Sequence, residues 1–336
     1  MTDPLAQVVL HCGWPRTGTT TLQSLLTHHR RELAVSGFAY PEEWQMEGRD
    51  RTMGVVNQNG LARLLEPSTA EDATAELEAF LRRHRGETVL LSSEELIVRR
   101  ASGGTPGSLA GLIASLERRT QLTCVVTVRR IDDLFSSFYL HHMLGEASLA
   151  SPETYFRQTR SYTQSLIAAM GELNAKAERI TYVRYRAFGT HQEDLLLAFG
   201  IPDGIRERMT AKLRRAPRLN ARLTEKTAAV IIHREEISAR AGVPIPIEAI
   251  RRMYWSGELT FEGDRSCELL GPSLRRSLHE GALETARKAG FQAYVDFFER
   301  EVMPTEEASP PSPDALLDSD LDHLVELLAS QKIESA

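Results

Sequence analysis

The stretch that decides the fold of this chain is Val8-Val9-Leu10-His11-Cys12-Gly13-Trp14-Pro15-Arg16-Thr17-Gly18-Thr19-Thr20-Thr21-Leu22. Its apolar start is typical of a buried strand, and that pattern ends at Gly13. A loop rich in glycine and hydroxyl side chains follows. Apolar residues then return at helical spacing, at Leu22, Leu25 and Leu26. The stretch therefore predicts a strand, a tight loop and a helix, in that order.

The loop has the composition of a phosphate-binding turn. Gly18 allows the backbone to turn where a Cβ would clash, so that successive N–H groups and the positive end of the next helix converge on one anion. The guanidinium of Arg16 adds a charged donor, and the hydroxyls of Thr17, Thr19 and Thr20 add neutral ones. We predict that this loop binds a phosphate group.

The spacing of the loop glycines leaves the kind of phosphate chemistry open. Gly13 and Gly18 have the G-x-x-x-x-G spacing of the nucleoside-triphosphate P-loop. Thr19, however, stands where that motif has the lysine that reaches the β- and γ-phosphates, and this weakens a kinase or ATPase interpretation. A glycine- and threonine-rich turn between a strand and a helix can also be purely structural.

Besides the first predicted strand near 7–12, the sequence has three further apolar runs that are typical of strands. They lie at 88–92, 122–128 and 179–184. Segments with a helical pattern separate them, and strands that alternate with helices favour a parallel sheet with right-handed crossovers. We therefore predict an α/β fold, with a P-loop-like central parallel sheet that helices flank on both faces. Residues 35–41 are expected to form a short edge strand or a turn.

Charged and hydroxyl side chains follow two of these strands. Glu94 and Glu95 come after the run at 88–92, Arg129 directly follows the run ending at Val128, and Ser137 lies on the helix beyond it. In an open α/β sheet, ligands collect beyond the carboxyl ends of the strands, so chemistry is expected here. The two acids can equally begin a helix, and the arginine can equally lie on a solvated rim.

Two short motifs resemble those of the sulfotransferases that use 3′-phosphoadenosine 5′-phosphosulfate (PAPS), including bacterial sulfotransferase-like proteins. The string from Pro15 to Thr20 is similar to the family's 5′-phosphosulfate loop, P-K-S-G-T-T. The tract from Arg129 to Ser137 is similar to the second signature, R-D-P-x-D-x-x-x-S, although the D-P pair is replaced. The resemblance extends over about residues 7 to 225, with the two motifs in the family's order.

The resemblance implies a role for each matching residue. The residues that would cradle the 5′-phosphosulfate of the donor are Arg16, Thr17, Gly18, Thr19 and Thr20. Arg129 and Ser137 would hold the 3′-phosphate. Arg16 takes the place of the loop lysine that stabilises the leaving oxygen, and an arginine can supply charge there but cannot give up a proton. The family implies no obligatory metal ion.

The acceptor of the sulfuryl group needs a base, and many family members use a glutamate after the strand that corresponds to 88–92. The matching position here is Glu94, with Glu95 as the reserve. His11 is a third possibility, although a histidine at the end of an apolar run is more often a packing residue. The acceptor would be a hydroxyl or amine of a glycan, a lipid or a small molecule.

Two other functions remain compatible with these residues. A P-loop kinase of a small metabolite would need ATP and Mg²⁺ and would ignore a 3′-phosphate. A non-catalytic nucleotide-binding scaffold protein would bind the nucleotide without transferring any group.

Net charge, cysteine spacing and the length of the apolar runs limit the ligands and the cellular location that we expect. The 336 residues carry a net charge of −6, which argues against a nucleic-acid ligand. The three cysteines lack the spacing of a zinc site or a disulfide framework, and no apolar run is long enough for a transmembrane segment, so a cytoplasmic location is expected.

The chain is expected to have three parts. Residues 1–303 would form the sulfotransferase-like domain, largely helical from 217 onward. A proline- and serine-rich linker at 304–313 would lead to an acidic amphipathic tail helix within 314–336. That tail helix, with its leucines on one side, could pack on the domain or serve as an interaction element.

Overall fold

A computed structural model of the protein describes most of the chain, namely residues 6–42, 46–47, 56–65, 70–101, 108–145, 152–186, 190–213, 224–256, 258–262, 269–301 and 312–333. Most of the expected linker at 304–313 lies outside the described residues. The chain divides into two compact units. The first comprises Met1–Arg130, Arg160–Arg215 and Gly281–Glu301, and the second comprises Ile131–Thr159, Ala216–Glu280 and Val302–Ala336.

The first unit is built on a five-stranded parallel sheet. Numbered in chain order, its strands are β1 (Ala6–His11), β2 (Phe38–Ala39), β5 (Thr88–Ser92), β6 (Thr120–Val128) and β7 (Ile180–Arg184), and they lie in the order β2-β5-β1-β6-β7. A separate antiparallel pair consists of β3 (Met46–Glu47) and β4 (Val56–Asn57). The four predicted parallel strands are confirmed, and β2 is the short edge strand expected within 35–41.

Helices flank this sheet. Those of the first unit are α1 (Thr19–His28), α2 (Arg30–Val35), α3 (Ala70–Arg83), α4 (Glu95–Ala101), α5 (Ser108–Glu117), α8 (Thr190–Ala198), α9 (Asp203–Leu213), α14 (Gln292–Phe298), the part of α7 (Pro152–Lys176) from Arg160 onward, and the end of α13 (Pro272–Lys288). A 3₁₀ helix covers Asn59–Leu65. The predicted α/β class is confirmed.

The central strands are apolar on both faces because helices cover both. On one face, Val9, Leu90 and Val125 pack in a core cluster with Leu26 of α1 and with Phe199, which directly follows α8. The alternate residues of the same strands, such as Val8, Leu10 and Val126, are also buried. Such continuous apolar runs are what a parallel sheet requires, and they explain why these segments lack the polar alternation of an exposed sheet.

The second unit is rich in helices. They are α6 (Ile131–Gly145), the start of α7, α10 (Glu225–Ile232), α11 (Arg234–Ala241), α12 (Ile247–Ser256), most of α13, and α15 (Asp318–Ile333). A buried ion pair joins Arg275 of α13 to Asp132 at the start of α6, with a shortest N–O distance of 2.8 Å. The largely helical C-terminal part agrees with the sequence prediction.

The tail helix α15 packs within the second unit. Leu321, Leu324 and Leu328 are buried along one side of it. Lys226 of α10 approaches Asp320 at 2.8 Å, and both side chains are largely buried. Burial of these leucines and of this ion pair attaches the helix to the rest of the unit. Among the described residues, no helix has the length and apolarity needed to cross a membrane.

The packing of α15 can be tested with two leucines of the tail. Leu324 is fully buried, whereas Leu317 is 62% exposed. We expect Leu324→Ala to lower the free energy of unfolding by roughly 2–5 kcal/mol, because it leaves a cavity, whereas Leu317→Ala should change it by less than about 0.5 kcal/mol. Urea denaturation measures both values. Equally small effects of the two substitutions would contradict the packed position of the tail.

Candidate functional site

A sharp loop follows the carboxyl end of β1 and leads into α1. Its first residues still pair with the neighbouring strand β6, because the N–H of Cys12 donates to the carbonyl of Val125 at 2.9 Å and that of Trp14 to the carbonyl of Thr127 at 3.3 Å. The indole of Trp14 is completely buried, 5.8 Å from the ring of Tyr294. The start of the loop is therefore fixed to the core of the first unit.

Two residues of this loop have left-handed backbone conformations. Gly18, at the N-cap of α1, has a φ of 79°, and Arg16 has a φ of 63°. Gly18 accepts this conformation without strain, whereas an L side chain there costs roughly 1–2 kcal/mol. Turns of this kind, placed before a helix N-terminus, point successive N–H groups toward one side and form an anion-binding concavity. The predicted strand, tight loop and helix are present, and phosphate binding by the loop stays a prediction.

Hydrogen bonds stabilise the strained residue. Nη1 of Arg129 donates to the carbonyl of Arg16 at 2.8 Å. The hydroxyl of Thr17, which is fully buried, donates to the carbonyl of Trp14 at 2.5 Å. The guanidinium of Arg129 also lies 4.5 Å from the centre of the Tyr185 ring, which is a cation–π contact. Arg16 and Arg129, predicted separately from the sequence, are thus in direct contact.

Glu94 lies beside the same loop. It follows β5, and the N–H of the preceding residue, Ser93, donates to the carbonyl of His11 at 3.1 Å. Burial and, to a lesser extent, the negative charge of Glu95 raise the pKa of Glu94 from 4.5 to about 7, against the opposing effects of the Arg16 charge and the Thr19 hydroxyl. A carboxyl group with a pKa near 7 can exchange a proton at neutral pH.

Glu95 occupies the first turn of α4, where the helix dipole favours an acid. Burial raises the pKa of its carboxyl group as well. Because Glu94 precedes the helix and Glu95 belongs to it, the two acids have different surroundings. Arg16 and Thr19, which both belong to the loop region, affect the pKa of Glu94. Glu94 is therefore the acid that interacts with the loop.

Two glutamines that sequence reasoning missed hold the end of β5. The backbone N–H of Ser92 donates to Oε1 of Gln58 at 2.7 Å, and its carbonyl accepts from Nε2 of Gln23 at 2.6 Å. Both glutamine side chains are buried. They fix the backbone from which Glu94 projects, and no local pattern in the sequence marks them.

His11 is enclosed in the sheet. Its Nδ1 lies 2.9 Å from Oγ of Ser92, and its Nε2 lies 3.0 Å from Oγ1 of Thr127. The ring therefore joins β1 to the strands on either side. Burial, with a smaller contribution from the nearby imidazole of His191, lowers the pKa of His11 to about 3. This geometry favours the packing role over the role of a base.

The first turn of α8 lies close to Gly18 of the loop. A Cβ built on Gly18 would lie 2.9 Å from Nε2 of Gln192 and 3.9 Å from Cδ2 of His191. Both side chains are buried. Sequence reasoning missed them, although α8 follows β7 and the rule that ligands collect at carboxyl strand ends could have included them.

The remaining predicted residues have other surroundings. Thr19 is buried, and Thr20 is exposed in the first turn of α1. Ser137 is partly buried in α6 and belongs to the second unit. Arg130, which follows Arg129, pairs with Glu301 at 2.9 Å. Within the ranges that the structure covers, no three His, Cys, Asp or Glu side chains are grouped so that they could hold a metal ion.

Two solved structures are similar to this chain. One is a sulfotransferase from Alicyclobacillus acidocaldarius, with 14% sequence identity, a TM-score of 0.34 and coverage of 64% of this chain and 93% of that one. The other is the sulfotransferase domain from the curacin biosynthetic pathway, with 17% identity, a TM-score of 0.31 and coverage of 64% and 75%. No protein-family model matches the chain, and no curated protein matches it significantly.

The charges around Glu94 predict opposite effects of two substitutions. Glu95→Gln should lower the pKa of Glu94 because it removes a neighbouring negative charge, and Arg16→Met should raise it because it removes a positive one. Titration of the Glu94 carboxyl carbon by NMR measures both shifts. Movement in the same direction, or no movement in either variant, would contradict the arrangement.

Proposed function

We propose that this protein is a sulfotransferase that transfers the sulfuryl group of PAPS to a hydroxyl or amine of a glycan, lipid or small-molecule acceptor. The observation that carries the proposal is the left-handed loop at Arg16 and Gly18, with Arg129 bonded to its backbone and Glu94 beside it. The motif resemblance of this loop distinguishes PAPS from other anions.

The loop is suited to the 5′-phosphosulfate. Its turn precedes the N-terminus of α1, and the hydroxyl of Thr19 is buried with no hydrogen bond of normal geometry. Its described interaction is with the carboxyl group of Glu94, and an anion oxygen in the loop would be a second acceptor for the same O–H group. The residues that would bind this end of the donor are Arg16, Thr17, Gly18, Thr19 and Thr20.

Arg16 would stabilise the leaving group. In the proposed displacement the acceptor oxygen forms a bond to sulfur as the bond from sulfur to the bridging oxygen breaks. The electron pair of that bond stays on the 5′-phosphate, where the fixed positive charge of Arg16 favours it. Arginine remains charged at any working pH, so its role here is electrostatic.

Glu94 would act as the general base. As the carboxylate it accepts the proton that the acceptor hydroxyl loses when the new bond forms. Its environment suits this task, because a pKa of about 7 leaves a large ionised fraction at neutral pH and still binds the proton well.

The 3′-phosphate would distinguish the donor from ATP. Arg129 is the proposed partner, since its guanidinium has further N–H groups besides the one bonded to Arg16. Ser137 remains the second partner that the sequence predicts. A kinase, the alternative that the glycine spacing leaves open, would not need either contact.

Binding of 3′-phosphoadenosine 5′-phosphate (PAP) tests the role of Arg129. We expect calorimetry to show that the wild type binds PAP more tightly than ATP or adenosine 5′-phosphate. Arg129→Ala should weaken PAP binding by roughly 10- to 100-fold, the usual worth of a charge-assisted pair, and should weaken binding of adenosine 5′-phosphate far less.

Arg129 also supports the loop, so part of the loss is common to both nucleotides, and the difference between them isolates the 3′-phosphate. Equal losses would remove the 3′-phosphate role. Preference for ATP with Mg²⁺ over PAP would favour the kinase.

Glu94→Gln should abolish most turnover and leave PAP affinity nearly unchanged. A general base contributes about 10²- to 10⁴-fold to the rate, so a loss of that order is expected in PAP release from PAPS. The acceptor for the assay comes from a mass-spectrometric screen for sulfated products.

The pH profile gives an independent check of the base. Because a base must be ionised, kcat/KM of the wild type should rise with pH through about 7 and then level off. In Glu94→Gln this rise of kcat/KM with pH should disappear. In Glu95→Gln the rise should remain but occur at a lower pH, because the pKa of Glu94 is then lower. Full activity of Glu94→Gln would exclude Glu94 as the base.

A further inference from the structure

His191, in the first turn of α8, is a buried titratable group for which the proposed mechanism has no use. Its side chain has no solvent exposure. Neither ring nitrogen has a hydrogen-bond partner of normal geometry. The ring lies 4.9 Å from that of Tyr185, tilted by 58°, and 3.9 Å from the Cβ position of Gly18. It is thus enclosed between the end of β7 and the phosphate loop.

Two backbone groups beside the imidazole are hydrogen-bond acceptors. The backbone of Thr17, within the loop, and that of Arg184, at the end of β7, both favour the protonated ring. A neutral imidazole has a single N–H and donates only once, while its second nitrogen needs a donor. An imidazolium has two N–H groups and could donate to both carbonyls. The surroundings therefore provide acceptors for the charged ring.

Burial and a neighbouring charge oppose protonation. Burial and, to a lesser extent, the positive charge of Arg129 lower the pKa of His191 to about 4, against the opposing effect of the two backbone groups. Two further titratable neighbours within the described residues are His11, whose ring is neutral, and Tyr185. The guanidinium of Arg184 pairs with Glu301. In the absence of an anion, His191 is therefore neutral at neutral pH.

We propose that His191 is a positioning residue of the loop, and that it takes up a proton when a phosphate-bearing anion binds there. The imidazolium then donates to the carbonyls of Thr17 and Arg184 and holds the loop in its left-handed form. This inference rests on the proposed function, because the anion it requires is the phosphate end of PAPS or PAP.

The physical cause of the uptake is charge compensation. An anion in the loop offsets the positive charge of Arg129 and adds a negative potential at the buried ring, so the charged form becomes favourable. Because a proton binds together with the anion, the affinity for the anion increases as the pH falls. The same proton leaves with the product.

Calorimetry with PAP measures this proton directly. Titrations in two buffers of different ionisation enthalpy give the number of protons bound per PAP. His191→Gln keeps an N–H donor but cannot ionise, so we expect it to take up about one proton fewer than the wild type. Its affinity for PAP should also rise less steeply between pH 8 and pH 6. His28→Gln, at an exposed position on α1, is the matched control and should behave like the wild type.

The outcomes separate the two proposals. Proton changes at Glu94 or on PAP itself occur in both proteins and cancel in the comparison. If His191→Gln binds PAP with the same proton uptake and the same pH dependence as the wild type, the role of His191 is wrong and PAP binding stands. If the wild type binds no PAP, the proposed function fails, and this inference fails with it.

A spectroscopic measurement keeps the inference testable if His191→Gln does not fold. The nitrogen shifts of a histidine ring differ strongly between the neutral and the doubly protonated form. We expect the His191 signals of the wild type to change from neutral to imidazolium values when PAP saturates the protein at pH 6.5. Neutral values in the saturated complex would overturn the proposal.

Discussion

The hydrogen bond from Arg129 to the carbonyl of Arg16 is the interaction on which the candidate site depends. Arg16 has a positive φ, which an L residue adopts only when its surroundings compensate for the strain. The guanidinium provides that compensation, and it belongs to the residue directly after β6, the strand beside β1. Because the bond joins two neighbouring strand ends, the conformation of the loop is tied to the register of the sheet.

The site combines several charges in a poorly solvated place. Arg16 and Arg129 are positive, whereas Glu94 is held near its midpoint of ionisation by burial, and His191 is held neutral. Low solvation strengthens each of these interactions and also makes each isolated charge costly. A multiply charged anion would relieve the excess of positive charge, and this imbalance would be the physical basis of the proposed binding.

The sequence alone was sufficient for the local parts of the structure. The apolar runs and their spacing predicted the four main parallel strands, the loop at Gly13–Gly18 and the helix that begins after it, because these features depend on neighbouring residues. The rule of strand ends directed attention to Glu94 and Arg129. The sequence did not predict the roles of four buried side chains, because each of them acts on a segment that is distant in sequence. They are Gln23, Gln58, His191 and Gln192.

What the sequence determined by itself was a parallel α/β fold with a glycine- and threonine-rich loop between its first strand and first helix, since glycine placement, hydroxyl content and apolar periodicity are properties of short segments. Only the tertiary structure decided that β5 and β6 lie on the two sides of β1, which brings Glu94 and Arg129 to the same loop. It also decided that His11 is closed into the sheet by Ser92 and Thr127, and that the pKa of Glu94 lies near 7. Burial and charge proximity arise from contacts between remote segments, so they exist only once the chain has folded.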